Sequence, residues 1–199
     1  IYFLDYSIIL GKISIFEKLK IETNKKQNTM KATVLQSMNQ QINAELYSSY
    51  LYLSMAAWAN SKGYKGIANW LQIQSKEEYA HAMKFYAYVE ERNHTPELFA
   101  IEKPESSWNG IVHMFEQVYA HEQKVTALIN NLYTLSLKEE EHATSSFLKW
   151  FIDEQVEEEA TVCAIIDEIK LAGEVGPGMY MIDKELAQRV FVDPTTTAE

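Results

Sequence analysis

One interval occurs twice in this chain. Glu45 precedes the pair Glu78 and His81 by 33 positions, and Glu122 precedes the pair Gln155 and Glu158 by the same 33. Each half offers one carboxylate on a first helix, then two ligand-type side chains three residues apart on a second. Residues at i and i+3 share a helix face, so such a pair can grip one ion. Glu from two helices with Glu-x-x-His from the others, all projecting into a four-helix bundle, is the pattern of a di-metal carboxylate centre. Here the second pair is Gln-x-x-Glu, which replaces acid and imidazole by amide and acid. Oxygen ligands with a single imidazole suit iron, manganese or zinc better than copper or a thiolate site. Spacing alone does not choose among those three.

Presenting these residues takes long helices, and the chain from Met30 onward provides four, with a short fifth. They are expected near 33–61, 65–92, 107–136, 139–172 and 179–189, with Ser107 as the N-cap of the third and glycines 63, 173, 176 and 178 marking breaks. The first and second helices are joined by a few residues, as are the third and fourth, so each pair is an antiparallel hairpin. About 15 residues carrying Pro96 and Pro104 separate the hairpins. Extended, such a segment reaches ~50 Å, against ~42 Å for a helix of ~28 residues. The connection is therefore long enough to cross the bundle from end to end. The expected fold is all-α: two hairpins joined by one long crossover, with a short C-terminal helix.

Alternating steps of three and four give the inward seam of each helix. The first is Leu35, Met38, Ile42, Glu45, Ser49, Tyr52, Ala56 and Ala59; the second is Ile67, Leu71, Gln74, Glu78, His81, Phe85 and Tyr88. The third is Ile111, Phe115, Val118, Glu122, Val125, Ile129 and Leu132; the fourth is Leu148, Phe151, Gln155, Glu158, Val162, Ile165 and Ile169. The seams are apolar except around the middle, where the metal-type residues fall. Ionised carboxylates are costly to bury unless paired or metal-bound. With His81 the one candidate cation in the seams, bound divalent or trivalent ions would balance four converging glutamates. Tyr52, two steps along the seam from Glu45, reads either as a packed core phenol or as an electron donor to an oxidised centre.

Composition sets outer limits. A chain of 199 residues fits one domain with a sizeable core. Its net charge of −10 disfavours duplex nucleic acid and favours cations. The single Cys163 excludes an intramolecular disulfide framework and thiolate-rich metal sites. No window approaches the ~18 uncharged apolar residues of a membrane span. Residues 1–29 differ from the rest and lack the plan of a signal peptide. They carry five lysines against three acids, a net +2, which leaves −12 from Met30 onward. They are read as an upstream extension, an artefact of start-site choice or cloning, with residues 30–199 as the domain; the alternative is a targeting or docking arm.

From Met30 to about Arg189 the chain resembles the bacterial non-haem ferritins. The resemblance is carried by Asn43-Ala-Glu-Leu-Tyr-Ser-Ser49, Glu77-Glu-Tyr-Ala-His81, Tyr119-Ala-His-Glu-Gln123, Phe147-Leu-Lys-Trp-Phe151, Glu154-Gln-Val-Glu-Glu-Glu159 and Tyr180-Met-Ile-Asp-Lys-Glu-Leu186. It implies a cytoplasmic homo-oligomeric shell of 24 subunits that oxidises Fe(II) with O2 or peroxide and stores Fe(III) as mineral. By the same resemblance, Glu45 and His81 hold a first iron, Glu78 bridges, and Glu122 with Glu158 holds a second, beside a neutral Gln155. A third iron position falls to Glu77, Glu154, Glu157 and Glu158. Glu159 is read as part of a solvated acidic face, and Trp150 as an aromatic near the centre. Tyr79 stands where a bacterioferritin has its haem-binding methionine, so no haem is expected. Two rivals remain at this stage: a di-iron oxidase acting on an organic substrate, and a non-enzymatic helical scaffold.

Overall fold

In a computed structural model of the protein, residues 30–195 are described; the expected upstream extension lies outside them. Five helices follow one another: α1 Ala32–Ser61, α2 Lys65–Glu91, α3 Ile111–Lys138, α4 His142–Ala172 and α5 Pro177–Leu186. No strand occurs among the described residues. Every expected seam position is buried except Leu35 and Ser49, which are half-buried while their neighbours Val34 and Ser48 take the inward place.

The hairpins and the crossover form as the connection lengths require. The α1–α2 turn passes through Gly63 at φ +93°, a left-handed conformation that glycine adopts without a Cβ clash. The crossover, residues 92–110, runs beside α1. Asn39 Oδ1 accepts from the Glu97 N–H at 3.2 Å, Asn43 Nδ2 donates to the Phe99 and Ala100 carbonyls at 3.3 Å, and Ser54 Oγ donates to the Glu105 carbonyl at 2.6 Å. Successive partners along α1 meet successive crossover residues, so the segment spans the bundle.

The last three helices differ from expectation in their boundaries. Helix α3 starts at Ile111 and not at Ser107, because its free N-terminal amides are served from elsewhere: Glu174 Oε2 accepts from the Val112 N–H at 3.0 Å. Helix α4 begins at His142, since Glu140 turns left-handed at φ +59° and ends the preceding turn. Helix α5 begins at Pro177, whose fixed φ and missing N–H suit the first helical turn, and it ends at Leu186. Its seat is narrow. A Cβ on Gly66 would lie 1.5 Å from the Asp183 carbonyl oxygen, so only glycine lets α5 come this close to α2. Asp183 Oδ1 in turn accepts from the Ile67 N–H at 2.9 Å and caps α2.

The core consists of two apolar blocks. One gathers Tyr52, Met55, Ile67, Leu71, Met114, Phe115, Val118, Val162, Ile165 and the α5 residues Met179 and Ile182. The other gathers Val34, Met38, Ile42, Phe85, Val89, Val125, Ile129, Leu148 and Phe151. Between them lies the polar layer. Each fully buried Ile, Leu or Phe contributes about 1.5–3 kcal/mol, so the two blocks can carry a layer whose desolvation opposes folding.

A buried ion pair closes one end. Arg92 donates to Glu141 Oε2 at 2.9 Å and to Tyr88 Oη and Thr144 Oγ1, while Glu141 Oε1 accepts from the Lys31 N–H at 2.8 Å. Both partners are 8% exposed. Removing one side of such a pair strands the other charge, at about 3–5 kcal/mol. Arg92→Ala therefore lowers the urea midpoint by an amount worth about 3 kcal/mol, with metal binding at the distant polar layer unchanged.

Candidate metal centre

The polar layer draws on all four long helices. From α1 comes Glu45, from α2 Glu78 and His81, from α3 Glu122, and from α4 Gln155 and Glu158; each is at most 6% exposed. They reach one level because each interrupts an otherwise apolar seam at the same depth.

Two triads bring ligand atoms within 4.8 Å of one another: Glu45, Glu78 and His81, and then His81, Glu154 and Glu158. His81 is common to both. Its Nδ1 lies 3.6 Å from Glu78 Oε2, and its Nε2 lies 4.0 Å from Glu154 Oε1. Glu45 Oε1 accepts from Gln41 Nε2 at 2.9 Å, but Glu45 Oε2 and His81 Nε2 are buried without a hydrogen-bond partner. Buried polar atoms are almost always satisfied, so two orphaned ligand atoms in one layer point to a cation as their partner.

Glu122 belongs to neither triad. It accepts a hydrogen bond from the Tyr52 hydroxyl and another from Gln155 Nε2 at 3.2 Å. The same amide nitrogen reaches the Glu122 carbonyl at 3.3 Å and Thr126 Oγ1 at 3.2 Å. Gln155 thus ties α4 to α3. His121, next to Glu122, bonds Ser48 Oγ at 2.8 Å and meets the Tyr52 ring edge-on at 6.0 Å. Burial, aided by Lys124, lowers its pKa to about 4, which keeps it uncharged at neutral pH.

Burial is the main electrostatic force on the layer. It raises Glu45, Glu78 and Glu158 well above the usual carboxylate range, and mutual repulsion adds to it, from Glu78 on Glu45 and from Glu122 on Glu78 and Glu158. Glu122 is raised for the same reason, with the Tyr52 and Gln155 hydrogen bonds opposing. The Tyr52 hydroxyl is raised by burial and by Glu122. Carboxylates raised in this way hold their protons to higher pH than free ones and give them up to a metal.

The outer acids differ in their surroundings. Glu154 is half-buried and faces His81, whereas Glu157 is exposed and joins neither triad. Glu77 is half-buried and paired with Arg189. Glu159 departs from the expected solvated face: it is half-buried and accepts from Thr126 Oγ1 at 2.6 Å. Trp150 stands edge-on to His81 at 5.4 Å, with Lys84 Nζ 3.5 Å above its ring. Tyr79 is largely exposed.

Sequence reasoning passed over three residues here. Gln41 and Gln74 hold carboxylates of the layer; Gln74 Nε2 donates to Glu158 Oε2 at 2.6 Å and to Glu78 Oε1 at 3.4 Å. Gln74 was visible as a polar side chain on the α2 seam. Arg189 was not, since 112 positions separate it from Glu77.

An all-α bundle of two hairpins with a short fifth helix, holding carboxylates and one imidazole in its middle, defines the class of ferritin-like four-helix-bundle proteins. Residues 35–172 match the ferritin-like domain, and the chain belongs to the ferritin family. It is 35% identical over 158 residues to the bacterial non-heme ferritin of Escherichia coli O6:H1, covering 79% of this chain and 96% of that protein. Against the bacterial non-heme ferritin of Staphylococcus saprophyticus it is 40% identical, covering 79% and 95%. A structure of Archaeoglobus fulgidus ferritin engineered into a closed form is similar at a TM-score of 0.81 and 43% identity, over 82% of this chain and 100% of that one. The open-pore ferritin of that organism is similar at 0.80 and 42%, over 81% and 99%. At the level of the family, the activity is iron storage with oxidation of ferrous iron. Among the described residues, no helix is long and apolar enough to cross a membrane.

Proposed function

We propose that this chain is a cytoplasmic ferroxidase and iron store: it oxidises Fe(II) at the mid-bundle carboxylates, with O2 or peroxide as electron acceptor, and a shell of 24 copies keeps the Fe(III) as mineral. The observation that carries this is the buried layer of four glutamates with two unpartnered ligand atoms, Glu45 Oε2 and His81 Nε2. Glu45 and His81 hold the first substrate ion, Glu78 lies between the two, and Glu122 with Glu158 takes the second. Two Fe(II) release one electron each, and the pair passes to the oxidant. Tyr52, hydrogen-bonded to Glu122, is an oxidisable side chain in the layer and can return an electron to the centre.

Turnover needs the product to leave, and Gln155 helps. A neutral amide beside Glu122 leaves the second position less negative than a third acid would. Gln155→Glu tightens Fe(II) at that position by roughly tenfold, about 1.4 kcal/mol, and slows ferric release; anaerobic titration and stopped-flow absorbance measure both. Equal affinity and release in the variant would remove Gln155 from this role.

The oxidase alternative needs a substrate pocket at the ions. The seams beside the layer are filled by Phe85, Phe115, Phe151 and Ile165, all buried. A groove of about 990 Å³ lies along α2, lined by Ser75, Tyr79, Met83 and Phe191, but no carboxylate of the layer lines it. The deciding experiment adds Fe(II) aerobically, follows ferric absorbance, and sizes the product by light scattering. A mineral-filled particle of roughly 24 subunits is expected; a small oligomer without ferric product rejects the function.

A further inference from the structure

The resemblance of the sequence to its family gives a third iron position to Glu77, Glu154, Glu157 and Glu158; of these, Glu154 and Glu158 bring ligand atoms within 4.8 Å of each other and of His81. Glu157 is exposed and Glu154 turns to His81 Nε2 at 4.0 Å. Glu77 carries a partner of its own, Arg189, which lies three residues beyond the end of α5.

Arg189 is held on three sides. One guanidinium nitrogen, Nη2, donates to Glu77 Oε2, and Nη1 donates to Gln74 Oε1 at 2.8 Å. Its Cζ stacks 4.6 Å above the Trp70 ring. The planar fork of arginine fits such a divided task, whereas a lysine offers a single point charge. Gln74 passes the hold inward: with its carbonyl fixed by Arg189, its amide nitrogen points to Glu158 Oε2 and Glu78 Oε1. Two of the four acids assigned to the third iron are thus engaged by one protein cation, Glu77 directly and Glu158 through Gln74.

The same contacts fix where Arg189 can be. Asn69 Nδ2 donates to the backbone carbonyls of Leu186, Ala187 and Arg189, the last at 3.0 Å, so the chain leaving α5 is tied to α2 at the residue before Trp70. Gly66 and Asp183 anchor α5 itself. The guanidinium is delivered by a seated helix, not by a loose end.

We propose that Arg189 is a built-in third cation: it occupies the counter-ion position of Glu77 and holds Glu158 through Gln74, so each subunit takes up two metal ions in the bundle and not three. An incoming third ion meets a position already neutralised, and Fe(III) leaving the two-ion centre finds no trap on its way out. This rests on the ferroxidase reading, since it counts ions at the same layer.

The test counts tightly bound Fe(II) per subunit by anaerobic calorimetry and equilibrium dialysis on the assembled, metal-free protein. Wild type takes two ions. Arg189→Ala takes three, because Glu77 is released. Arg189→Lys stays at two, since a cation remains beside Glu77. The double variant Arg189→Ala with Glu77→Gln returns to two, which places the extra ion at Glu77 and separates the effect from a loosened C-terminal segment. Three ions in wild type or in Arg189→Lys, two in Arg189→Ala, or three in the double variant overturns the inference while leaving the ferroxidase reading intact. No ions in wild type removes that reading and this one with it.

Discussion

Glu78→Ala stops ferrous oxidation, with the initial rate falling by at least about 100-fold. In the proposed centre Glu78 is the carboxylate shared by the two ions: its Oε2 is 3.6 Å from His81 Nδ1, it shares a triad with Glu45, and Gln74 joins it to Glu158. Changes to residues that only orient a ligand cost about 10–100-fold in metal affinity or activity, and removing a carboxylate common to both positions costs more. The metal-free variant does not unfold. It loses a buried group whose charged form is disfavoured by desolvation and by Glu122, so its thermal midpoint holds or rises. Aerobic ferric absorbance and calorimetry on the same samples measure the two effects. A variant that still oxidises iron at a comparable rate would return the chain to a helical scaffold without this chemistry.

In chelated protein the four layer glutamates contribute less stability as pH rises through their raised folded pKa values, and divalent ions restore it. Burial raises the pKa values of Glu45, Glu78, Glu122 and Glu158 in the folded chain above their unfolded values. Between the unfolded value, about 4.3, and the raised folded values, the folded state binds more protons. The contribution of these four carboxylates to stability is therefore greatest at low pH and falls as pH climbs through the folded values, while buried His121, lowered to about 4, acts in the opposite sense below about 6.5. Metal reverses the trend, because ions replace those protons and bind better once they are gone. Two sites each at about 100 times their dissociation constant add about 5 kcal/mol, which raises the midpoint by about 10 °C or more in a chain of this size. Calorimetric scans at pH 5 and pH 8, with and without metal, measure this directly, and the uptake heat should vary with the ionisation enthalpy of the buffer. A metal-free midpoint that climbs with pH would mean these carboxylates are already paired.

Much of the centre was legible before any tertiary contact was known. Glu45, Glu78, His81, Glu122, Gln155 and Glu158 were found by asking where four apolar stripes are interrupted, and all six are buried at one level. A helix repeats every 3.6 residues, so depth along a bundle can be read by counting. The crossover followed from the reach of an extended chain against the length of a helix. Tyr52 stood two seam steps from Glu45, but its bond to Glu122 depends on how α1 meets α3.

Other features escaped for a common reason. Ser107 looked like an N-cap, yet α3 begins four residues later and takes its cap from Glu174, 62 positions away. Glu159 looked solvated in an acidic run, but packing of α4 on α3 gives it Thr126. Glu77 was an expected ligand by family resemblance alone, and its pairing with Arg189 depends on the seating of α5.

By itself the sequence determined the helices, their inward faces, the hairpin pairing and the level at which acids and one imidazole collect, because these depend on periodicity and on short connections. Only the tertiary structure decided which acids face one another, which amides hold them and which cation answers them. Those partners lie far apart along the chain, and their meeting depends on the close approach of α5 to α2 at Gly66 and on how α3 rests against α1 and α4.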